Sequence, residues 1–181
     1  MKLSVSNVAW YNSRIDEFIR YISSLGCTGI ELGPSMIWPE PVLAPIDERQ
    51  TLKRSIADAG LELAGIQALL YSRPDLVMFG DATTRSKMLE YLTHIMDLCL
   101  DLGGEVMVFG SPRNRLIGHL PRDKARSIAI EFFRELGIRA GKSGTGCGGV
   151  VGETAECAPG ACREVKAADR VVAGVIGEGP A

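Results

Sequence analysis

Strand-like and helix-like segments alternate four times along the first 140 residues, with glycine, proline or short polar turns between them. The predicted strands are Lys2–Ala9, Thr28–Gly33, Leu61–Leu70 and Glu105–Phe109. The predicted helices are Arg14–Leu25, Asp47–Ala59, Thr83–Leu102 and Arg122–Arg139. The third strand is apolar almost throughout, which is typical of a parallel strand covered on both faces. The pattern therefore predicts consecutive βα units in an α/β fold.

Two architectures are built from consecutive βα units, a closed (β/α)8 barrel and an open doubly wound sheet. No strand is followed by the glycine-rich patterns with which open sheets commonly bind nucleotides. Each strand ends instead in polar or aromatic residues, among them Trp10, Glu31, Gln67 and the loop 111–115. Barrels assemble their active sites from several strand ends in this way. The loops therefore favour a partial TIM barrel of about four βα units.

The composition changes abruptly near residue 140. Residues 141–181 hold ten of the 21 glycines and contain neither leucine nor an aromatic residue. Such a segment has little apolar surface to bury, so we predict an irregular Gly/Ala-rich tail over 141–181 after a folded half barrel over 1–140. We expect this tail to be a frameshifted or truncated ending. The other interpretation is a metal or redox site formed by Cys147, Cys157 and Cys162 with Glu153 or Glu156, a spacing that fits no common zinc pattern.

Charge and apolar content exclude several classes of partner. The net charge of −2 and the pI near 5.8 provide no basic surface for nucleic acid or an anionic membrane. No apolar run approaches the roughly 20 residues that span a bilayer, and the N-terminus enters a predicted strand rather than a signal peptide. Cys27 and Cys99 lie in apolar segments, where buried reduced thiols are usual. We therefore expect a cytoplasmic protein with a small-molecule partner.

Three segments carry a family resemblance. They are Gly29-Ile-Glu-Leu, Gly65-Ile-Gln-Ala-Leu-Leu-Tyr-Ser-Arg-Pro-Asp-Leu and Val106-Met-Val-Phe-Gly-Ser-Pro-Arg-Asn-Arg. Together they resemble the xylose-isomerase-like TIM-barrel family, which groups sugar and sugar-phosphate isomerases and epimerases with endonuclease IV-type enzymes. The resemblance spans the first 140 residues and corresponds to the N-terminal half of such a barrel. It implies a sugar or sugar phosphate as partner and a divalent metal (Mn, Mg, Co or Zn) as the family cofactor.

The endonuclease branch of the family is the less favoured alternative. That branch places metal-binding histidines after its third and fourth strands, where this chain has Gln67 and Phe109-Gly110. The two histidines of the chain, His94 and His119, fall in a predicted helix and in a loop. A multi-zinc phosphodiesterase site is therefore not expected.

The resemblance also implies where catalysis would take place. Family isomerases hold their metal with carboxylates and a histidine from strands five to eight, and two of the carboxylates move protons beside the substrate carbonyl. A cation bound by oxygen ligands polarises a hydroxy-ketone, and a carboxylate base removes the adjacent proton. The fifth strand of the family ends in Glu-Pro, whereas this chain offers Glu153 in a glycine-rich stretch. We therefore expect an epimerase-like protein that is inactive as this chain, with no catalytic residue and no metal ligand.

Five residues are the candidate substrate-binding groups: Trp10, Glu31, Gln67, Arg113 and Asn114. Trp10 would form a wall for a sugar ring or pack on its own scaffold. Glu31 and Gln67 suit either a substrate contact or a structural hydrogen-bond network. Arg113 and Asn114 sit where a phosphate or carboxylate could bind, although arginine is also common in surface loops.

A non-catalytic function is the main alternative. An open four-stranded parallel sheet has unpaired edges and an exposed apolar face. This arrangement predicts a binding or assembly module that forms a homodimer through the open half barrel. The core of the half barrel is predicted to include Tyr21, Met88, Met96 and Phe132.

Overall fold

The computed structural model describes residues 3–10, 14–142, 149–151 and 171–172, in which short strands alternate with longer helices. The strands are β1 (Ser4–Ser6), β2 (Gly29–Leu32), β3 (Glu62–Ile66), β4 (Val106–Val108), β5 (Gly149–Val151) and β6 (Val171–Val172). The helices are α1 (Ile15–Ser24), α2 (Ile46–Asp58), α3 (Ala82–Asp101) and α4 (Arg122–Lys142). Short 3-10 helices follow three of the strands, at Asn7–Ala9, Pro34–Met36 with Pro41–Leu43, and Pro112–Arg115.

The six strands form one parallel sheet in the order in which they occur along the chain. An unbroken sequential order is the arrangement of a TIM barrel, whereas a doubly wound sheet reverses direction at a switch point. The register between β2 and β3 shifts by one residue between Ile30 and Glu31. The topology confirms the prediction of a partial TIM barrel.

The helices match the predicted segments closely, but the strands are shorter than predicted. After Ser6 the chain enters a 3-10 helix, and β3 ends at Ile66. In the segment predicted to be an irregular tail, β5 and β6 extend the sheet beyond β4. Glu153, Glu156 and the cysteines of the alternative tail site, Cys147, Cys157 and Cys162, lie outside the described residues.

The core lies between the sheet and the helices that cover its outer face. Met88, Met96 and Phe132 are buried as predicted, with exposures of 0%, 1% and 3%. Cys27 and Cys99 are also buried, and neither takes part in a disulfide bond. Within the part of the chain that is described, no helix combines the length and the apolar character needed to cross a bilayer.

The prediction that Tyr21 belongs to the core is wrong, because its side chain is 51% exposed. Ile22 faces the sheet and Ser23 faces α2, where its hydroxyl donates to the carbonyl of Ala59 at 2.8 Å. Successive helical residues are about 100° apart, so Tyr21 points away from α2. The hydrophobic spacing of α1 therefore locates its buried face correctly, but not the flank on which this tyrosine lies.

Candidate functional site

A polar cluster joins the carboxyl ends of the first three strands. The Nε2 atom of Gln67 donates to Ser6 Oγ at 2.6 Å and to Glu31 Oε2 at 2.7 Å. Ser6 and Glu31 are partners in the β1–β2 register, and Gln67 directly follows β3. Parallel strands end at the same edge of a sheet, so the fold brings these three side chains together. We call Ser6, Glu31 and Gln67 the strand-end cluster.

The strand-end cluster is half-buried and polar. The amide of Gln67 uses both of its N–H groups, one on a hydroxyl and one on a carboxylate. The backbone N–H of Gln67 also donates to the carbonyl of Leu32 at 2.8 Å, which fixes the position of the side chain. The amide therefore holds the Glu31 carboxylate in one orientation while the cluster stays partly accessible to solvent.

Asn7 is a buried residue of this face that the sequence reasoning missed. Its Oδ1 accepts from the backbone N–H of Gly33 at 2.6 Å, and its Nδ2 donates to the Gly33 carbonyl at 3.4 Å. A Cβ atom at Gly33 would lie only 2.8 Å from a methyl group of Val8. This close contact fixes the loop after β1 against the loop after β2. In the sequence Asn7 is one of the polar residues that alternate with apolar ones along the predicted first strand, so it carries no separate signal.

Asn114 ties the loop after β3 to the loop after β4. Its Nδ2 donates to the carbonyls of Arg73 at 2.8 Å and Leu76 at 2.6 Å. Its own carbonyl accepts from Met78 N at 2.8 Å, and its N–H donates to Ser111 O at 3.0 Å. Since both amide protons are used within the protein, the side chain of Asn114 holds loops together in this structure.

Trp10 and Arg113 lie apart from the strand-end cluster. The ring of Trp10 packs 5.4 Å from each of the rings of Phe18 and Tyr21 on α1. Its Nε1 atom is buried and has no hydrogen-bond partner among the described residues. Arg113 is exposed on the 3-10 helix that follows β4. Of the five predicted site residues, the structure brings only Glu31 and Gln67 into direct contact.

The backbone is strained at the ends of β3 and β4. Ala68 has a φ of 53° and Ser111 a φ of 33°, and they are the two non-glycine residues of the described chain with positive φ. Left-handed backbone is disfavoured for residues with a Cβ and collects at functional sites. Both residues follow strand ends, on the face where barrels build their active sites.

Arg73 and Tyr91 connect the loop after β3 to α3. The guanidinium of Arg73 lies 4.9 Å from the centre of the Tyr91 ring. It also binds both carboxylate oxygens of Asp75, at 2.9 and 2.7 Å, and this hydrogen bonding lowers the pKa of the Asp75 carboxyl. Burial raises the pKa of the Tyr91 hydroxyl. These contacts stabilise the loop that follows β3.

The residues present do not fit the divalent metal that the resemblance implies. In the described ranges, no three His, Cys, Asp or Glu side chains approach closely enough to hold an ion. Glu31 is the one carboxylate of the strand-end cluster, and it is hydrogen bonded to an amide. His94 lies on α3, 3.8 Å from Asp97 on the same helix. No chemical step through a metal can be derived from these residues.

No family model matches the chain, and no curated protein matches its sequence. Solved structures do resemble it. The 3-keto-D-glucoside 4-epimerase YcjR of E. coli superposes with a TM-score of 0.60 and 20% identity, over 80% of this chain and 54% of that one. The D-psicose 3-epimerase of Clostridium cellulolyticum superposes with a TM-score of 0.63 and 17% identity, over 80% of this chain and 50% of that one.

A third structure, described as IOLI protein with a binding zinc atom, gives a TM-score of 0.63 and 16% identity. It matches over 87% of this chain and 54% of that one. The chain thus spans about half the length of the solved structures it resembles. Likeness at identities this low shows the fold alone. The chain therefore has the fold of the N-terminal half of a xylose isomerase-like TIM barrel.

Proposed function

We propose that this chain is the N-terminal half barrel of a sugar or sugar-phosphate isomerase or epimerase, and that it binds a sugar at the strand-end cluster. The observation that carries this proposal is the contact of Gln67 with both Ser6 and Glu31 across three adjacent strand ends. The fold supports it, because structures with this fold include a 3-keto-D-glucoside 4-epimerase and a D-psicose 3-epimerase.

The chemistry of the cluster suits a polyhydroxylated ligand. Sugar hydroxyl groups both donate and accept hydrogen bonds, and a fixed carboxylate is a strong acceptor for them. Gln67 holds the Glu31 carboxylate in place before a ligand arrives, so less conformational entropy is lost on binding. Glu31 therefore orients the sugar by accepting from one of its hydroxyl groups.

We expect this chain to bind a sugar without turning it over. The resemblance places the carboxylates that move protons on strands five to eight of the barrel. The described residues of β5 and β6 are glycine and valine, which carry no titratable group. Incubation of the purified chain with D-fructose and Mn²⁺ should therefore yield no D-psicose above a protein-free control. Saturable, metal-dependent turnover would contradict this part of the proposal.

Calorimetric titration with D-psicose and D-fructose tests the binding itself. We expect Glu31→Gln to weaken binding about tenfold, because a neutral amide is a weaker acceptor than a carboxylate. Glu90→Gln is the matched control, since Glu90 is exposed on α3, away from the strand ends. Equal affinities of the Glu31 variant and the unaltered chain would remove Glu31 from the site, and no binding of either sugar would refute the proposal.

Two further parts of the proposal concern the chain as a whole. We place the boundary of the half barrel near residue 140, with 141–181 as a frameshifted or truncated tail. Translation of the gene in all three frames beyond codon 135 tests this, since another frame should restore an apolar strand ending in Glu-Pro. The buried thiols of Cys27 and Cys99 suit a reducing compartment, which supports a cytoplasmic location.

Assembly with a second copy of this chain is the second candidate function, and one surface favours it. No described strand pairs with the outer edge of β1. Leu3 precedes β1 and Val8 follows it, with exposures of 49% and 45%, and Tyr21 and Leu25 on and after α1 are 51% and 59% exposed. We call these four residues the β1 flank. An unpaired edge beside exposed apolar side chains is a typical surface for association.

A further inference from the structure

Ser111 has a backbone conformation that its neighbours in sequence do not favour. Its φ and ψ are 33° and 59°, in the left-handed region, although it carries a Cβ and precedes Pro112. The hydrogen bond from Asn114 N–H to the Ser111 carbonyl helps to hold it there. Backbone strain of this kind persists where the surrounding structure imposes it, and it is common at ligand sites.

The hydroxyl group of Ser111 lacks the partner that a buried polar group normally has. Its Oγ is buried and makes no hydrogen bond with any described residue, while the residue as a whole is half-exposed. Rotation about the single Cα–Cβ bond would bring the hydroxyl toward the exposed side. A Cβ atom built at the adjacent Gly110 meets no other atom within 4 Å. There is room beside Ser111 for a ligand that would satisfy the hydroxyl.

The charge around Ser111 selects the class of ligand. Residues 106–122 include Arg113, Arg115 and Arg122 but no aspartate or glutamate. Arg115 is only 9% exposed and has contacts within the protein, whereas Arg113 reaches solvent. A phosphate monoester carries nearly two negative charges at neutral pH, and guanidinium groups match its geometry. An anion is therefore favoured over a neutral sugar hydroxyl at this loop.

We propose that the loop 110–115 binds the phosphate group of a sugar phosphate through the Ser111 hydroxyl, in the positive field of the exposed Arg113. This inference rests on the proposed function, because the sugar itself would lie at the strand-end cluster. The β4 strand pairs with β3 at Ile66 and Met107, and neighbouring strands are about 4.8 Å apart. The loop and Gln67 of the cluster thus follow the ends of two adjacent strands.

Calorimetric titration with D-fructose 6-phosphate and D-fructose provides the test. The unaltered chain should bind the phosphate ester at least tenfold more tightly than the sugar. The Ser111→Ala and Ser111→Gly variants should each bind the ester about tenfold more weakly, and their affinity for D-fructose should be unchanged. Glycine tolerates positive φ, so a residue that only shaped the backbone would be replaced by glycine without loss. Arg113→Gln should also weaken binding of the ester, whereas Arg126→Gln on the exposed face of α4 should leave that binding unchanged.

Three results would overturn the inference. They are equal affinities for ester and sugar, an unchanged ester affinity in the Ser111→Gly variant, and binding of D-gluconate as tight as that of the ester. The last result would assign the loop to carboxylates. Inorganic phosphate separates this inference from the proposed function. If inorganic phosphate and the ester both bind and shift the amide resonance of Ser111 while D-fructose does not bind, the sugar site fails and the phosphate loop stands.

Discussion

Amide side chains hold adjacent strand ends together in this half barrel. Asn7 joins the loops after β1 and β2, Gln67 joins β1 to β2 from the end of β3, and Asn114 joins the loops after β3 and β4. A side-chain amide can make several hydrogen bonds at once: Asn7 donates and accepts, and Gln67 and Asn114 each donate two. The edge of the sheet on which the site lies is therefore organised before any ligand binds.

A single carboxylate controls the beginning of α3. The Oδ1 atom of Asp81 accepts from the backbone N–H of Thr84 at 2.7 Å, and this hydrogen bond lowers the pKa of Asp81 from its ordinary value of 3.8. We expect Asp81→Ala to lower the melting temperature at pH 7 by about 2–4 °C, because the helix loses its cap. The melting temperature of the Asp81→Asn variant should fall by less, since asparagine is also a good N-cap.

The stabilisation that the Asp81 carboxylate provides depends on pH. Because the folded-state pKa is lowered, the stabilisation is fully present above the ordinary value and is lost as pH falls through the folded-state value. The difference between Asp81→Ala and the unaltered chain should therefore shrink below about pH 3, the acid side of the ordinary carboxyl range. Thermal melts by circular dichroism over pH 2–7 measure it, with Glu131→Ala on α4 as control. A difference that does not change with pH would exclude this role for the charge.

The sequence predicted some of these residues because local patterns specify them. Glu31 and Gln67 were found because a polar residue at a buried strand end is unusual. Asn7 was missed because its partner, Gly33, is 26 residues away, and that pairing depends on the packing of two loops. The position of Tyr21 was predicted wrongly because apolar spacing does not report which flank of a helix has a neighbour.

At the scale of whole elements, the helices were predictable because their apolar periodicity extends over three or more turns. The ends of the strands were not predictable, because a strand continues only where a neighbouring strand forms hydrogen bonds with it. The residues after β1 pass into a 3-10 helix, and those after β3 enter turns at Ala68–Arg73. A three-residue strand and the turn that follows it are too similar in composition to be told apart in this sequence. Pairing with a neighbouring strand therefore determines where each strand ends.

One arginine links α2, α3 and the loop that precedes α2. The guanidinium of Arg49 donates to the carbonyls of Ala44 at 2.8 Å and Val42 at 3.3 Å and to Asp101 Oδ2 at 2.7 Å. The Arg49 side chain is 12% exposed, so its removal would leave the carbonyls of Ala44 and Val42 poorly solvated, whereas the Asp101 side chain is 41% exposed. We expect Arg49→Ala to lower the free energy of unfolding by about 2–3 kcal/mol.

Urea denaturation followed by tryptophan fluorescence measures that change. Arg49→Lys should recover less than half of the loss, because one ammonium cannot reproduce the three directions of the guanidinium. Arg54→Ala is the matched control on the same helix, since Arg54 bonds only to the nearby Thr51 hydroxyl. If Arg49→Ala were as stable as the Arg54 variant, the contacts of Arg49 would not stabilise the packing of α2 on α3.

At the scale of the whole molecule, β1 forms an edge of the sheet at which no described strand pairs with it. A closed barrel pairs its first strand with its last, and the solved structures with this fold are about twice as long as the part that this chain matches. In this chain β4 already pairs with β5, so a dimer of two four-stranded halves through β4 is not available. The β1 flank is the surface with described side chains on which a second copy can associate.

A two-fold axis beside β1 would pair the β1 strands of two copies in antiparallel fashion and bring the two α1 helices side by side. Each copy would then cover the exposed apolar side chains of the other. We therefore expect analytical ultracentrifugation to show a concentration-dependent species of 39 kDa, twice the 19.5 kDa of one chain. Val8→Lys should shift the equilibrium at least tenfold toward the monomer, because a charge in the β1 flank opposes burial of its apolar side chains. Leu43→Lys, at a residue 76% exposed near the start of α2, should leave it unchanged. A monomer at all concentrations, or equal effects of the two lysine variants, would show that the β1 flank does not mediate self-association.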